Sequence, residues 1–143
     1  MEIVARRKFP AKLDSLSNSL EFVSACAQAK GFSARRISEI QLATEEALVN
    51  IFRYAYPEGR GEVEVICRFD ARQRLVIELV DCGIPFDVLS VPEPNLTGEI
   101  EDRAVGGLGV HLMKALMDEV HYSRKEGKNI LTLVASGEER SPS

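Results

Sequence analysis

The apolar positions of this chain follow two periods, and the points where one gives way to the other mark its predicted elements. Residues 2 to 9 (EIVARRKF) read as a short strand that Pro10 ends. From Lys12 to Lys30 the spacing of Leu13, Leu16, Leu20, Val23 and Ala27 predicts a first helix with Gly31 as its stop. Ser33 is placed to cap a second, longer helix whose apolar side carries Ile37, Ile40, Ala47, Leu48 and Ile51, and which ends before Pro57. The period then falls to two. EVEVICRF (62 to 69) and LVIELVD (75 to 81) read as a hairpin, and EVHYSRK and NILTLVAS as a second one closed around Gly127 and Lys128. Between the hairpins lie a long irregular loop, 83 to 105, holding Pro85, Pro92, Pro94 and Gly98, and a third helix from the glycine cluster to about Asp118.

That order of elements implies an α+β fold: a two-layer α/β sandwich with helices on one face of a mostly antiparallel, mixed sheet, and the N-terminal strand at a sheet edge. The expected organisation is one domain over residues 1–136 and a solvated tail over 137–143. The chain's 143 residues, 45% of them hydrophobic, are enough for one core. No apolar run approaches the roughly 20 residues that span a bilayer. MEIVARRKF is basic without an apolar stretch after it, so a cytoplasmic protein is expected, without a membrane partner. Cys26, Cys67 and Cys82 lack metal or disulfide spacing and read as reduced thiols. The net charge of -4 and the dispersed basic residues argue against direct nucleic-acid binding.

Three clusters carry candidate chemistry. In ATEEALVNIFRYAY, Glu46 and Asn50 stand one helical turn apart, with Glu39 and Arg53 near the same stripe, facing away from the apolar side. A lone E-x-x-x-N is also what a solvated face looks like. Read as chemistry, Asn50 offers a neutral carbonyl oxygen suited to Mg²⁺, which draws further ligands from water and phosphate. Glu46 is then placed to orient or deprotonate a hydroxyl. In LVIELVDCGIPFD, Asp81 ends a strand just before Gly83; a turn former has this look, and so does an acceptor for the exocyclic amine of adenine with a glycine kept open for a flat base.

The third cluster is VGGLGVHLMKALMDEV. Glycine in a helix costs roughly 1 kcal/mol relative to alanine, yet Gly106, Gly107 and Gly109 crowd one helix start. They either end a loop and allow close packing, or they bring bare amides up to an anion at the positive end of the helix and let the preceding loop swing as a lid. There is no G-K-[ST], and no strand leads into the glycines, so neither a Walker loop nor a dinucleotide fingerprint applies. Together the clusters supply a metal ligand with a base, an adenine acceptor and a phosphate cradle, which are the parts needed to hold ATP with Mg²⁺.

On these residues the chain resembles the Bergerat-fold (GHKL) ATPases, and more narrowly the anti-sigma regulatory factors, serine/threonine kinases of partner-switching systems. The resemblance covers roughly residues 5 to 135. EEALVNIFRYAYPEG is similar to the N box, which implies Glu46 as catalytic base and Asn50 as Mg²⁺ ligand; DCGIPFD is similar to the adenine box, which implies Asp81 and Gly83 at the base. GGLGVHLMKALMDEVHYSRKEGKNILTLV is similar to the phosphate box and closing hairpin, which implies Gly106, Gly107, Leu108, Gly109 and Val110 at the phosphates. The wider superfamily has D-x-G-x-G where this chain has Pro85 at the second glycine. No helix carries a phosphoacceptor histidine, and His111 and His121 read as structural. The resemblance implies a kinase that binds a sigma factor or similar client, phosphorylates an anti-anti-sigma antagonist and forms a homodimer. An alternative from another class is a binding module that senses ATP or ADP without phosphotransfer.

Overall fold

The computed structural model describes residues 3–90 and 107–138. Strand β1 (Ile3–Pro10) is followed by a 3-10 turn (Leu13–Ser15), then α1 (Leu16–Ala29) and α2 (Ala34–Tyr54). Strands β2 (Glu62–Phe69) and β3 (Leu75–Asp81), a 3-10 turn (Val88–Ser90), α3 (Gly107–Leu116), β4 (Glu119–Lys125) and β5 (Lys128–Ala135) complete it. The five-stranded sheet runs in the order β1-β2-β3-β5-β4, with β1 at one edge. Every strand pair is antiparallel, so the described sheet contains none of the parallel pairing that a mixed sheet requires.

Local chemistry accounts for the boundaries. Ser33 is extended and its hydroxyl accepts the Arg36 N–H at 3.0 Å, which caps α2. Gly31, at φ 86°, takes the left-handed conformation that ends α1. Leu13 departs from the expected stripe and is 65% exposed, because the tighter 3-10 turn rotates it off the face that Leu16 and Leu20 present. Helix α3 stops before the expected Asp118 because the Asp118 N–H bonds the Val134 carbonyl at 2.8 Å and the chain has joined the sheet. Glu126 and Gly127 both have positive φ, 52° and 77°, the pattern of the two-residue turn that matches strand twist.

The inner face of the sheet carries Val63, Val65, Cys67, Leu75, Ile77, Leu79, Leu131 and Leu133, all buried against the helices with Ile40, Ala43, Ala47, Leu48, Met113 and Leu116. Cys26 of α1 and Cys67 of β2, both free and buried, come together in this layer. The Cys67 thiol is pushed up from its ordinary value by its hydrogen bond with Cys26 and by burial. Arg36 is wholly buried and ties the layers: its guanidinium donates to Glu39 Oε1 at 2.9 Å, the Leu116 carbonyl at 2.7 Å, Asp118 Oδ1 at 2.8 Å and the Ser136 carbonyl at 2.8 Å. A cation on the last turn of α3 complements its dipole, so Arg36 fixes α3 beside α2.

Candidate nucleotide site

Strand alternation delivers the first part of the site. Asp81 lies on the same face of β3 as Ile77 and Leu79, and in the ladder it stands between Val63 and Asn129. Two polar residues thus continue an apolar inner row at the end of the sheet, 3% and 4% exposed. They satisfy each other: Asn129 Nδ2 donates to Asp81 Oδ1 at 2.8 Å, and the Gly83 N–H donates to the same oxygen at 2.9 Å. Burial raises the proton affinity of Asp81 above the usual carboxylate value, while Asn129, Gly83 and the nearby Arg124 charge oppose that rise.

The turn after Asp81 docks on the end of α2. The Ile84 N–H bonds the Ala55 carbonyl at 2.8 Å. A Cβ at Gly83 would lie 2.1 Å from that carbonyl oxygen and 2.8 Å from Ala55 Cβ. The glycine is therefore required by contact with α2, and its side-chain face is closed by Ala55 rather than open to a flat base as the sequence suggested. Tyr56 holds the same turn from the other side, its oxygen accepting the Cys82 N–H at 2.8 Å and its hydroxyl donating to the Glu62 carbonyl at 2.6 Å. Arg124 donates to the Gly83 carbonyl at 2.8 Å, and Tyr54 packs on Phe86 with ring centroids 5.1 Å apart.

On α2, Asn50 is wholly buried and Glu39 nearly so, while Glu46 is half-buried and Arg53 exposed, so the stripe is only in part the solvated face that a lone E-x-x-x-N suggests. Helix α2 is covered by α1 and α3 as well as by the sheet layer, and Glu39 is drawn in by Arg36. Asn50 Nδ2 donates to the Glu46 carbonyl at 3.0 Å, while Asn50 Oδ1 is buried without a hydrogen-bond partner among the described residues. An orphaned amide oxygen is costly to bury, by about 1–3 kcal/mol, and it is the kind of atom a hard cation takes up. Asn50 therefore fits Mg²⁺. Glu46, half-buried, has its proton affinity raised first by burial and then by Glu45, with Arg53 acting in the opposite sense.

Helix α3 begins at Gly107 and runs against α2. Gly107, Leu108 and Gly109 are helical in backbone; Gly106 and most of the expected lid, residues 91–106, lie outside the described residues. The Val110 side chain is buried in the core, so only its main chain is available to a ligand. His111 and His121 are both exposed, not core residues, and His121 Nε2 pairs with Glu119 Oε1 at 2.8 Å on β4. A cavity of about 490 Å³ lies beside the Asp81 turn, lined by Ala55, Tyr56, Pro57, Glu58 and Arg60, by Cys82 to Pro85, and by Arg124. It shares Gly83 with the candidate site and is not lined by Asn50 or Asp81.

Asn129, Tyr122, Tyr56 and Arg124 were not among the residues singled out from the sequence. Asn129 carried a signal, since it is a polar residue in phase with Leu131 and Leu133 on an apolar strand. Tyr56 and Arg124 reach the Asp81 turn from segments distant in the chain, and Tyr122 reaches Asn129 within the closing hairpin.

The five-stranded antiparallel sheet with helices on one face, and the Asp81 turn docked on the end of α2, set the class of this domain. The chain belongs to the family of histidine kinase-like ATPase domains, whose model matches residues 9–135. It is 29% identical over 128 residues to the serine-protein kinase RsbW of Bacillus cereus (strain G9842), across 87% of this chain and 79% of that one. To the serine-protein kinase RsbW of Bacillus thuringiensis (strain Al Hakam) it is 28% identical over the same shares. Among solved structures, the RsbU and RsbW domains of Rv1364c from Mycobacterium tuberculosis match with a TM-score of 0.61 at 15% identity, over 92% of this chain and 32% of that chain. The histidine kinase domain from the Erythrobacter litoralis EL346 blue-light activated histidine kinase matches with a TM-score of 0.53 at 22% identity, over 84% of this chain and 60% of that one. This chain thus spans about a third and three-fifths of those two structures, and the likeness is one of fold. Among the described residues no helix is long and apolar enough to cross a membrane.

Proposed function

We propose that this protein is an ATP-dependent serine/threonine protein kinase that also binds a sigma factor or a similar regulatory client, and that its phosphoryl acceptor is an anti-anti-sigma antagonist. The observation that carries the reading is the state of one turn of α2. Asn50 Oδ1 is buried and unpartnered, and Glu46, one turn before it, has a proton affinity raised by burial. A buried, unpartnered oxygen beside a carboxylate whose proton affinity burial raises suits phosphoryl transfer better than nucleotide sensing alone.

In this reading Asn50 holds Mg²⁺, which when bound neutralises charge on the phosphates. Glu46 accepts the proton of the acceptor hydroxyl. Asp81 takes a hydrogen bond from the adenine amine, with Gly83 setting the turn beneath it. The main-chain amides of Gly106, Gly107, Leu108, Gly109 and Val110 face the phosphates at the positive end of α3, an electrostatic task that asks little covalent chemistry of the protein. The domain is expected to act in the cytoplasm over residues 1–136, as a homodimer.

The test is transfer of label from the γ-phosphate of ATP to the antagonist protein, with Glu46→Ala as control. Label should appear on the antagonist and fall by about 10² or more in the variant. Transfer that persists undiminished in Glu46→Ala removes that residue from the mechanism, and nucleotide-dependent partner binding without any phosphorylated product replaces the kinase with a sensing module.

A further inference from the structure

Asn129 is 4% exposed and uses its whole amide within the protein. Its Nδ2 donates to Asp81 Oδ1 and to the Ile84 carbonyl, each at 2.8 Å. Its Oδ1 accepts the Tyr122 hydroxyl at 2.5 Å and the Phe86 N–H at 3.3 Å. Two donors on one end and two lone pairs on the other are what a primary amide offers, and turning it over would set oxygen against a carboxylate and a carbonyl. Asp81 is held in consequence. Oδ1 receives Asn129 and Gly83, and among the described residues no hydrogen bond falls on Oδ2.

We propose that Asn129 is the positioning residue for base selection, holding Asp81 so that its second oxygen stays an acceptor for the amino group of a 6-aminopurine and turns away a 6-oxopurine. This rests on Asp81 being the base acceptor. Around Asp81, burial favours the protonated carboxyl; Asn129 of β5, the Gly83 N–H and Arg124 of β4 favour the ionised one, with Tyr56 beyond α2 and Cys82 as the titratable neighbours. Without the Asn129 amide, Asp81 keeps its proton to higher pH. A protonated Oδ2 is a donor, matched to the oxo group and mismatched to the amine.

Calorimetric titration of ATP and of inosine triphosphate, from pH 6 to pH 9, tests this in the full chain with Asn129→Asp and Tyr122→Phe. The unaltered protein should prefer ATP at least about thirtyfold, within what a hydrogen-bonding site can reject. Asn129→Asp should cut that preference at least about tenfold at pH 6 to 7 and regain part of it toward pH 9, which a merely looser fold would not do. Tyr122→Phe, which removes only the hydroxyl that fixes the amide, should move the preference the same way by about threefold. A preference unchanged across the pH range in both variants overturns the proposal. Asp81→Asn separates the layers: if it collapses the preference while the Asn129 and Tyr122 variants do not, Asn129 alone loses its role; if it too leaves the preference intact, the reading of Asp81 falls and this proposal with it.

Discussion

Gly83 and Ala55 meet so closely that a methyl group on Gly83 would come within 2.1 Å of the Ala55 carbonyl oxygen. The end of α2 and the turn after β3 are thus one packed unit. Gly83→Ala must push the turn off α2, break the bond from Ile84 to Ala55 and move Asp81. Overpacking of this kind costs about 1–3 kcal/mol. We expect a lower urea midpoint and loss of most of the melting-temperature gain that saturating ATP gives the unaltered protein; a variant with normal stability and normal ATP response would contradict the contact.

The pH dependence of phosphotransfer follows from the neighbours of Glu46. In the proposed role of Glu46 as general base, the group works ionised, so activity should rise as pH climbs through its pKa, and burial and Glu45 place that rise above the ordinary glutamate range. Glu45→Gln removes a repelling charge and should shift the acid limb of kcat to lower pH. Arg53→Met removes an attracting one and should shift it upward. Limbs that do not move, or move the other way, would take Glu46 out of the proton-accepting role.

Asn50 should show a conflict between stability and function. Asn50→Leu removes the buried, unpartnered oxygen, so without nucleotide the variant should be as stable as the unaltered protein or more so, by up to about 1 kcal/mol. With Mg²⁺ and ATP the order should reverse, since a ligand at a hundred times its dissociation constant adds about 2.7 kcal/mol to a protein that binds it. Urea unfolding with and without both ligands measures the two signs in one experiment.

Arg36 is a positioning element remote from the chemistry. Arg36→Met leaves Glu39 and Asp118 without their buried cation and the Leu116 carbonyl without a donor. Breaking such a network from one side costs about 3–5 kcal/mol. Chemical denaturation should report that loss, and ATP affinity should fall with it because α3 is no longer tied beside α2. A loss under about 1 kcal/mol would mean that the network is not what fixes α3.

The candidate site residues could be named from the sequence because their signals are local. The Glu46–Asn50 spacing, the Asp81–Gly83 turn and the glycines of α3 each sit within a few residues of one another, and the Ser33 cap, the Gly31 stop and the Gly127 turn are set by side-chain and backbone chemistry at single positions. What misled was burial. The stripe of α2 with Glu39 and Asn50 looks polar, but Glu39 is drawn in by Arg36 of the same helix and α3 packs against α2, a neighbour that the helix itself does not reveal.

The amino-acid order alone determined the alternation that points Asp81 and Asn129 to the inner face of their strands, the Gly31 stop and Ser33 cap between α1 and α2, and the residue types offered to a nucleotide. Tertiary structure decided that β3 pairs with β5, so that Asn129 meets Asp81, and it decided that Ala55 closes on Gly83 and that the Asn50 oxygen is buried without a partner among the described residues. The physical reason is range. Backbone geometry and capping act over one turn or one strand, whereas pairing between residues 48 apart in the chain, and the desolvation that goes with it, exists only once the layers have packed.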